Sequence, residues 1–253
     1  MNSAVISDIH IKGPETKSYR LFLSFLSQKE VLESSTWYFL GDIFDLMIGN
    51  HLEYFEKFPE FFNRLAEYLK NGGSVHYLEG NHDFHLEGLF LKYLEMRNIP
   101  ADKFFYHREA FRKELNGKSF YFCHGDDIQS GNFGYVFLKY LLRNPLSGLI
   151  INKLASFFLL QKIGSLMSGN SRKYNDSKFG DTSGQKLIKE KFRKFARDFW
   201  TKNKCDYLIC GHSHVLDDYP LGENGRYINI GLPPVSNKYL LIEGPDLKFM
   251  EIT

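Results

Sequence analysis

Cysteine is scarce in this chain of 253 residues, and its scarcity excludes two common ways of stabilising a protein. The three cysteines, Cys123, Cys205 and Cys210, are odd in number and form no Cys-x-x-Cys pair. A disulfide framework and a zinc site built from thiolates are therefore both disfavoured, and we expect a reducing, cytoplasmic environment. The first residues lack the basic head and apolar run of a signal peptide, so nothing in them suggests export.

Net charge is also nearly absent, because 32 lysine and arginine residues are balanced by 30 acidic residues. This balance removes any global attraction to nucleic acid or to an anionic membrane. The distribution is uneven, however: residues 139–204 hold fifteen basic and four acidic side chains, a net of +11, so the rest of the chain carries 2 − 11 = −9. No aromatic stacking motif is interleaved with these charges, and we therefore expect no nucleic-acid partner.

No apolar run reaches the roughly 20 uninterrupted residues that a membrane-spanning helix needs. The apolar stretch at residues 149–160 is broken by Asn152 and Lys153. It lies within residues 127–204, an interval far longer than an ordinary strand–helix connection. We predict a single domain, residues 1–253, with a basic and apolar helical insertion at 127–204 that is a lid, a membrane-surface helix or an ordinary buried helix.

Short β-prone runs recur along the chain, and each is followed by polar residues. The runs are residues 4–6, 37–40, 75–78, 120–122 and 207–209. Two sets of apolar residues between them have the spacing of one helix face: Phe55, Phe58, Phe62, Leu65 and Leu69, and then Ile188, Phe192, Phe195 and Phe199. Strands alternating with helices predict a layered α/β or α+β fold, in which ligands collect at the carboxyl ends of the strands.

The last quarter of the chain has a different pattern. Residues 226–230 and 239–242 are β-prone, and a Gly-Leu-Pro-Pro sequence lies between them. Glycine and proline at such a position mark a turn. We therefore predict two strands of a second sheet that are joined without a helix.

Histidine, by contrast, is abundant at the ends of the predicted strands. Five of the nine histidines lie there: His10, His82, His124, His212 and His214. The oxygen donors beside them are Asp8, Asp42, Asn81 and Asp83. Mixed imidazole and carboxylate donors suit divalent Mn, Fe or Zn better than Ca or Mg. Because the donors are too many for one ion, we predict two ions, about 3.5 to 4 Å apart and bridged by one carboxylate.

Five blocks built from these residues resemble the motifs of the calcineurin-like metallophosphoesterases and follow that family's order. They are Asp8-Ile9-His10, Gly41-Asp42-Ile43-Phe44-Asp45, Gly80-Asn81-His82-Asp83, His124-Gly125-Asp126 and Gly211-His212-Ser213-His214. The resemblance implies a four-layer αββα sandwich and a metal-dependent phosphoester hydrolase. It also implies two ligand sets that share Asp42: Asp8, His10, Asp42 and His214 for one ion, and Asp42, Asn81, His124 and His212 for the other. Mn²⁺ is the expected metal, with Fe or Zn as alternatives.

The same resemblance implies catalytic roles for His82 and Asp83. His82 is expected to face the substrate and to stabilise phosphate oxygens or protonate the leaving group, while Asp83 fixes the orientation of its ring. The alternative is a histidine that only orders its loop. Asp45 and Asp126 are expected to support other residues or cap loops. The histidines outside the blocks are expected to be structural or superficial: His51, His76, His85 and His107.

A narrower resemblance concerns residues 124–135 and the insertion that follows. These residues are similar to UDP-2,3-diacylglucosamine hydrolases, which cleave a pyrophosphate in lipid A biosynthesis. The resemblance implies a UDP-linked diacylated glucosamine as substrate, with UMP and 2,3-diacylglucosamine 1-phosphate as products. It also implies a monomer in peripheral contact with the inner membrane. The substrate-binding residues would be Asn81, His82, Arg172 and Lys173, although Arg172 and Lys173 equally fit solvated surface charges.

Two features depart from the best-known branch of those hydrolases. His82 stands where that branch carries arginine, and a Gly-Leu-Pro-Pro sequence replaces an expected Gly-Asp-Trp. One alternative is therefore a soluble metal-dependent phosphodiesterase or phosphatase acting on a nucleotide or other small phosphoester. A non-catalytic scaffold is a further alternative, disfavoured because such relatives usually lose ligands and this chain keeps every donor.

Overall fold

The computed structural model describes residues 2–129 and 182–253, together with 144, 146–148, 151 and 157. Arg172, Lys173 and most of the predicted insertion lie outside these residues. The strands are β1 (Asn2–Ile6), β2 (Thr36–Phe39), β3 (Met47–Ile48), β4 (Ser74–Leu78), β5 (Asp83–Phe84), β6 (Phe104–His107), β7 (Phe111–Leu115), β8 (Lys118–Phe122), β9 (Tyr207–Cys210), β10 (Asp217–Leu221), β11 (Gly225–Asn229), β12 (Lys238–Glu243) and β13 (Asp246–Glu251). The helices are α1 (Lys17–Phe25), α2 (Lys29–Leu32), α3 (Glu53–Lys57), α4 (Pro59–Lys70), α5 (Glu87–Met96), α6 (Thr182–Lys202) and α7 (Pro233–Ser236), with a 3₁₀ turn at Ala101–Lys103.

Two sheets form the centre of the described structure. The first has the strand order β13-β12-β1-β2-β4-β6, in which β1, β2, β4 and β6 run parallel. The second has the order β10-β11-β9-β8-β7, with β8, β9 and β11 parallel and antiparallel strands at both edges. All five predicted strands are present, and each lies in a parallel part of its sheet.

Side chains alternate between the faces of each strand, and this alternation creates three apolar layers. Trp37 and Phe39 point to a layer shared with α1, α4 and α5, whereas Tyr38 points to a layer between the two sheets. On the other side of the second sheet, Leu208 packs with Phe192 of α6. The order helix, sheet, sheet, helix confirms the expected four-layer sandwich.

The predicted helix through Phe55 and Leu69 is interrupted in the structure. Helix α3 ends at Lys57 and α4 begins at Pro59, while Phe58 between them has φ −131° and ψ 52°. A proline disfavours helical geometry in the residue before it, and it is well suited to the first helical position itself. The prediction of one continuous helix was therefore wrong.

The last quarter also differs from its prediction. Both predicted strands exist, but β11 pairs with β9 in the second sheet and β12 pairs with β1 in the first. The chain crosses from one sheet to the other through α7, a single helical turn that begins at Pro233. The expectation of two strands in one sheet, joined without a helix, was therefore wrong.

The end of the predicted insertion belongs to the outer helical layer. Helix α6 buries Phe192, Phe195 and Ala196 against the second sheet. Arg193 of this helix donates through Nε and Nη2 to the carboxylate of Asp217 on β10, at 2.8 Å in each case. Within the described ranges, no helix has the length and apolar character needed to cross a membrane.

Candidate metal centre

The predicted ligands come together where parallel strands of both sheets end. Asp8 and His10 follow β1, Asp42 follows β2, and Asn81 follows β4 in the first sheet. The second sheet contributes His124 after β8, and His212 and His214 after β9. Since the sheets pack face to face, these ends meet at one edge of the sandwich.

One group of donor atoms forms around Asp8. The Oδ1 atom of Asp8 lies 3.3 Å from Nε2 of His214. The Nε2 atom of His10 lies 3.1 Å from that same nitrogen and 3.9 Å from Oδ2 of Asp42. Four side chains assigned to one ion are thus adjacent, with their ligand atoms facing one another.

A second group lies on the other side of Asp42. The Nε2 atom of His124 is 3.5 Å from Oδ2 of Asp42, 3.0 Å from Oδ1 of Asn81 and 3.3 Å from Nδ1 of His212. Both groups therefore approach the same carboxylate oxygen, which is the arrangement expected of a bridging ligand. Imidazole nitrogens and carboxylate oxygens facing one another at such distances fit a pair of divalent ions.

The backbone at this edge is strained. Five of the seven candidate ligands have positive φ: Asp8 (53°), His10 (50°), Asp42 (54°), His212 (62°) and His214 (59°). Left-handed geometry costs a non-glycine residue about 1–3 kcal/mol and persists where surrounding contacts enforce it. Here the backbone N–H of Asp8 donates to Gly41 O at 3.1 Å, and that of His10 donates to Asp42 O at 3.0 Å. Such strain, gathered at one site, is typical of functional residues.

Glycines allow the ligand loops to approach one another. A Cβ atom on Gly80 would collide with the backbone nitrogen and carboxylate of Asp42, and one on Gly211 would collide with the side chains of Ser7 and Asp8. Any other residue at these two positions would push Asp42 or Asp8 out of place.

The structure corrects the expected role of Asp83. Its carboxylate accepts hydrogen bonds from the backbone N–H groups of Asp42 (2.8 Å), Ile43 (2.7 Å) and Gly80 (2.9 Å), and from the hydroxyl of Tyr77 (2.7 Å). These bonds hold the loop that presents Asp42.

The ring of His82 is instead oriented by another residue: its Nδ1 atom lies 2.9 Å from the backbone carbonyl of Asp45. The hydrogen bonds of the Asp83 carboxylate go to the loop of Asp42, to Gly80 and to Tyr77, and none of them joins it to the ring of His82. The expectation that Asp83 orients His82 was therefore wrong. His10, Asp45 and His82 also place ligand atoms within 4.8 Å of one another.

Burial and charge set the protonation of the ligands. Burial alone would raise the pKa of Asp42, but the charges of His124 and His82 outweigh it and hold that pKa well below its usual value. Burial lowers the pKa of His10 and that of His212 to about 4 each. Ionised carboxylates and neutral imidazoles are the forms that bind metal ions. Asp42, His10 and His212 are thus in the metal-binding form. Burial also disfavours the charged form of His124, but Asp42 outweighs it and raises the pKa of His124, so an ion bound there displaces a proton.

Two supporting residues were not predicted from the sequence. The hydroxyl of Ser7, fully buried, donates to Oδ2 of Asp8 at 2.6 Å. Tyr77 reaches Asp83 from β4, the strand that the candidate ligand Asn81 follows. Ser7 directly precedes a candidate ligand, and this position could have indicated its role. No sequence signal indicates the role of Tyr77, because its pattern is that of an ordinary aromatic strand residue.

The histidines outside the blocks have other surroundings. His76 and His107 lie on β4 and β6, and their rings approach at 2.8 Å between Nδ1 and Nε2. His51 packs near Tyr54, and the backbone N–H of His85 donates to Glu79. None of these four histidines belongs to a ligand-type cluster among the described residues.

Comparison with known proteins gives concordant findings. A family model described as calcineurin-like phosphoesterase matches residues 1–216. The UDP-2,3-diacylglucosamine hydrolase of Psychromonas ingrahamii is 29% identical over 218 residues, which span 85% of this chain and 81% of that protein. The corresponding protein of Porphyromonas gingivalis is 27% identical over 230 residues, with 85% and 82% covered. A solved archaeal phosphodiesterase aligns with a TM-score of 0.44 and 11% identity over 99% of both chains, which is too distant to add to these matches.

Proposed function

The chain belongs to the calcineurin-like phosphoesterase family and is a metal-dependent phosphoester hydrolase, and from this premise we propose that it hydrolyses UDP-2,3-diacylglucosamine. The pyrophosphate is cleaved to give UMP and 2,3-diacylglucosamine 1-phosphate, a step of lipid A biosynthesis. The observation that carries the hydrolytic part is the approach of two donor groups to Oδ2 of Asp42, at 3.9 Å from His10 and 3.5 Å from His124.

Each donor group would hold one divalent ion, and we propose Mn²⁺. When bound, such a pair supplies Lewis acidity toward phosphoryl oxygens and produces a nucleophile from water near neutral pH. Asp42 belongs to both groups, so its carboxylate fixes their spacing. Asn81 contributes a neutral amide oxygen, which limits the negative charge that a phosphate substrate meets.

We propose that His82 assists the leaving group. Its Nδ1 atom faces the carbonyl of Asp45, and a carbonyl can only accept, so this nitrogen carries a proton. The ring then offers Nε2 toward a phosphate oxygen, as donor in the protonated form. The ring centroid lies 5.2 Å from that of His10, so His82 borders the centre without being one of its assigned ligands.

The names of two relatives and the basic residues of helix α6 support the lipid part of the proposal. Both relatives described above bear the name UDP-2,3-diacylglucosamine hydrolase. Helix α6 adds exposed basic residues, among them Lys186, Lys191 and Lys194, which suit a pyrophosphate substrate at an anionic membrane surface. We propose that the protein acts in the cytoplasm at the inner membrane. Arg172 and Lys173, which lie outside the described residues, are proposed to contact the substrate.

A soluble phosphodiesterase or phosphatase for small esters is the second candidate. The observation that favours it is His82, which stands where the best-known lipid hydrolases carry arginine. Arginine binds phosphate through a bidentate fork, whereas histidine provides one donor at a time. A smaller substrate with fewer phosphate oxygens fits that reduced capacity.

Direct assay separates the two candidates. Purified full-length protein loaded with Mn²⁺ is incubated with UDP-2,3-diacylglucosamine in detergent micelles, and UMP is quantified by chromatography. We expect UMP release, and at least a tenfold lower kcat/KM on bis(p-nitrophenyl) phosphate. Turnover of the aryl ester without UMP release would establish the small-ester candidate. An Asp42→Asn variant, purified in parallel, controls for contaminating hydrolases.

A further inference from the structure

Asn229 is a buried polar residue at the end of a sixth strand that reaches the metal-centre edge. It is the last residue of β11, and its register partner on β9 is Cys210, two residues before His212. Its side chain is completely inaccessible to solvent. A buried carboxamide must form hydrogen bonds to be tolerated, so its partners indicate what it does.

The hydrogen bonds of Asn229 leave one possible orientation of its amide. Its Nδ2 atom donates to Gly211 O at 2.5 Å and to the hydroxyl of Tyr227 at 3.0 Å, while its Oδ1 atom accepts from the backbone N–H of Gly231 at 3.0 Å. A backbone carbonyl can only accept and a backbone N–H can only donate. The two ends of the amide are therefore not interchangeable, and aspartate would not reproduce the contact with Gly211.

The peptide unit that Asn229 binds is also held from its opposite side. The carbonyl of Gly211 and the N–H of His212 belong to one planar unit. That N–H donates to both carboxylate oxygens of Asp8, at 3.1 and 3.0 Å. Asn229 and Asp8 thus hold the two edges of the peptide from which the His212 side chain projects. His212 has φ +62°, a strained geometry that these contacts help to maintain, together with the hydrogen bond from the N–H of Gly211 to His124 O at 2.8 Å.

We propose that Asn229 is a positioning residue that aims the imidazole of His212 at the donor group formed by Asp42, Asn81 and His124. This inference rests on the proposed two-ion function. Loss of the Asn229 contact leaves the Gly211 carbonyl with the backbone N–H of Ser213, at 2.7 Å, as its remaining partner. The peptide is then held less firmly, and His212 shifts from its place beside His124. Binding of the ion assigned to that group is weakened most. The ion assigned to Asp8, His10, Asp42 and His214 loses no ligand and is affected less, through the His212 N–H that donates to Asp8.

Metal titration of an Asn229→Asp variant tests the proposal. Mn²⁺ is titrated into metal-free full-length protein by calorimetry, and the sample is followed by electron paramagnetic resonance, which distinguishes coupled Mn²⁺ pairs from single ions. We expect one of the two affinities to fall about 10- to 100-fold, the usual effect of losing an outer-shell partner, with loss of the coupled signal. The matched control is Asn224→Asp, an exposed turn residue just before the same strand.

The possible outcomes separate the proposals. Two unchanged affinities in Asn229→Asp overturn the positioning role, and so does a parallel fall of both affinities together with a lower melting temperature, which a merely structural role predicts. If Asn229→Asp does not fold, Asn229→Ser, whose shorter hydroxyl cannot reach Gly211, is measured against the same expectation. Failure of the unmodified protein to bind two ions contradicts the proposed function itself.

Discussion

Histidines cluster in two regions of this molecule, and the regions differ in almost everything except the residue type. His76 and His107 lie on regular strands, and ring contacts surround them: Phe111 stacks on His107 at 3.7 Å and Tyr38 on His76 at 4.8 Å. The histidines of the metal centre lie beyond strand ends, beside buried carboxylates, and three of them have left-handed backbone geometry.

The comparison shows what converts an imidazole into a candidate ligand. Burial lowers the pKa of His76 to about 3 and that of His107 to about 4, and no carboxylate in the described part of the chain opposes the effect, to which Lys113 adds. At the metal centre, burial likewise disfavours the charged form of His124, but Asp42 outweighs it and raises the pKa of His124 well above its usual value. Carboxylate neighbours and strained loops, rather than burial, distinguish the functional cluster.

The largest expected effect comes from the shared carboxylate. Asp42→Ala removes a ligand from both donor groups, so we expect kcat to fall by more than the about 10- to 100-fold that follows loss of an outer-shell partner. Steady-state kinetics and metal content by mass spectrometry provide the measurement. His76→Phe is the matched control from the other histidine cluster and should keep both metal ions. Equal losses of metal in the two variants would show that the two histidine clusters do not differ in metal binding.

Lowering the pH should reduce the stability of the protein through the His76 and His107 pair. The unfolded chain takes up protons on these imidazoles below about pH 6.5, whereas the folded chain resists protonation until about pH 3 to 4. Between those limits the unfolded state binds more protons, so the free energy of unfolding falls as the pH is lowered. For His76 the loss between pH 7 and pH 4.5 is roughly 3 kcal/mol, at 1.36 kcal/mol per pKa unit.

Urea unfolding at the two pH values checks this expectation. His76→Phe should show a shallower pH dependence than the unmodified protein, whatever its absolute stability at pH 7. The measurement uses metal-free protein, so that release of ions from the metal centre does not contribute. Superimposable pH profiles would mean that the pair is not protonated during acid unfolding.

The smallest effect is expected at Ser7. Its hydroxyl donates to Asp8, and Ser7→Ala removes this bond while leaving every candidate ligand in place. We expect about a tenfold loss of Mn²⁺ affinity, at the lower end of the range for outer-shell partners. Isothermal calorimetry measures it, with Ser35→Ala as an exposed control whose hydroxyl bonds only backbone. An unchanged affinity would show that backbone contacts alone orient Asp8.

The sequence pattern was sufficient to predict seven of the described strands and the residues that meet at the edge, while the four layers were implied by the family resemblance. It could do so because each block directly follows a β-prone run, and parallel strands bring such residues together. The interruption at Phe58 was also readable, because Pro59 follows it. The placement of β11 and β12 in different sheets could not be predicted, because strand pairing depends on distant partners that no local pattern specifies.

Which of Asp45 and Asp83 orients His82 could not be predicted for a different reason. Both aspartates lie within three residues of a candidate ligand, and spacing alone does not show which way a group points. In the structure, strand β5 turns Asp83 toward the loop of Asp42, while the carbonyl of Asp45 meets His82. Likewise, the left-handed geometry of Asp8 and Asp42 arises from hydrogen bonds between loops, and these exist only after the strands are assembled.

Each donor group draws side chains from both sheets: His214 joins Asp8 in one, and His124 joins Asn81 in the other. Neither sheet alone offers a complete coordination shell, so tight cation capture requires the finished sandwich. By mass action, any ion that prefers the folded chain makes separation of the sheets harder. Metal supply would then govern how long the protein withstands proteases and heat, in addition to whether it is active.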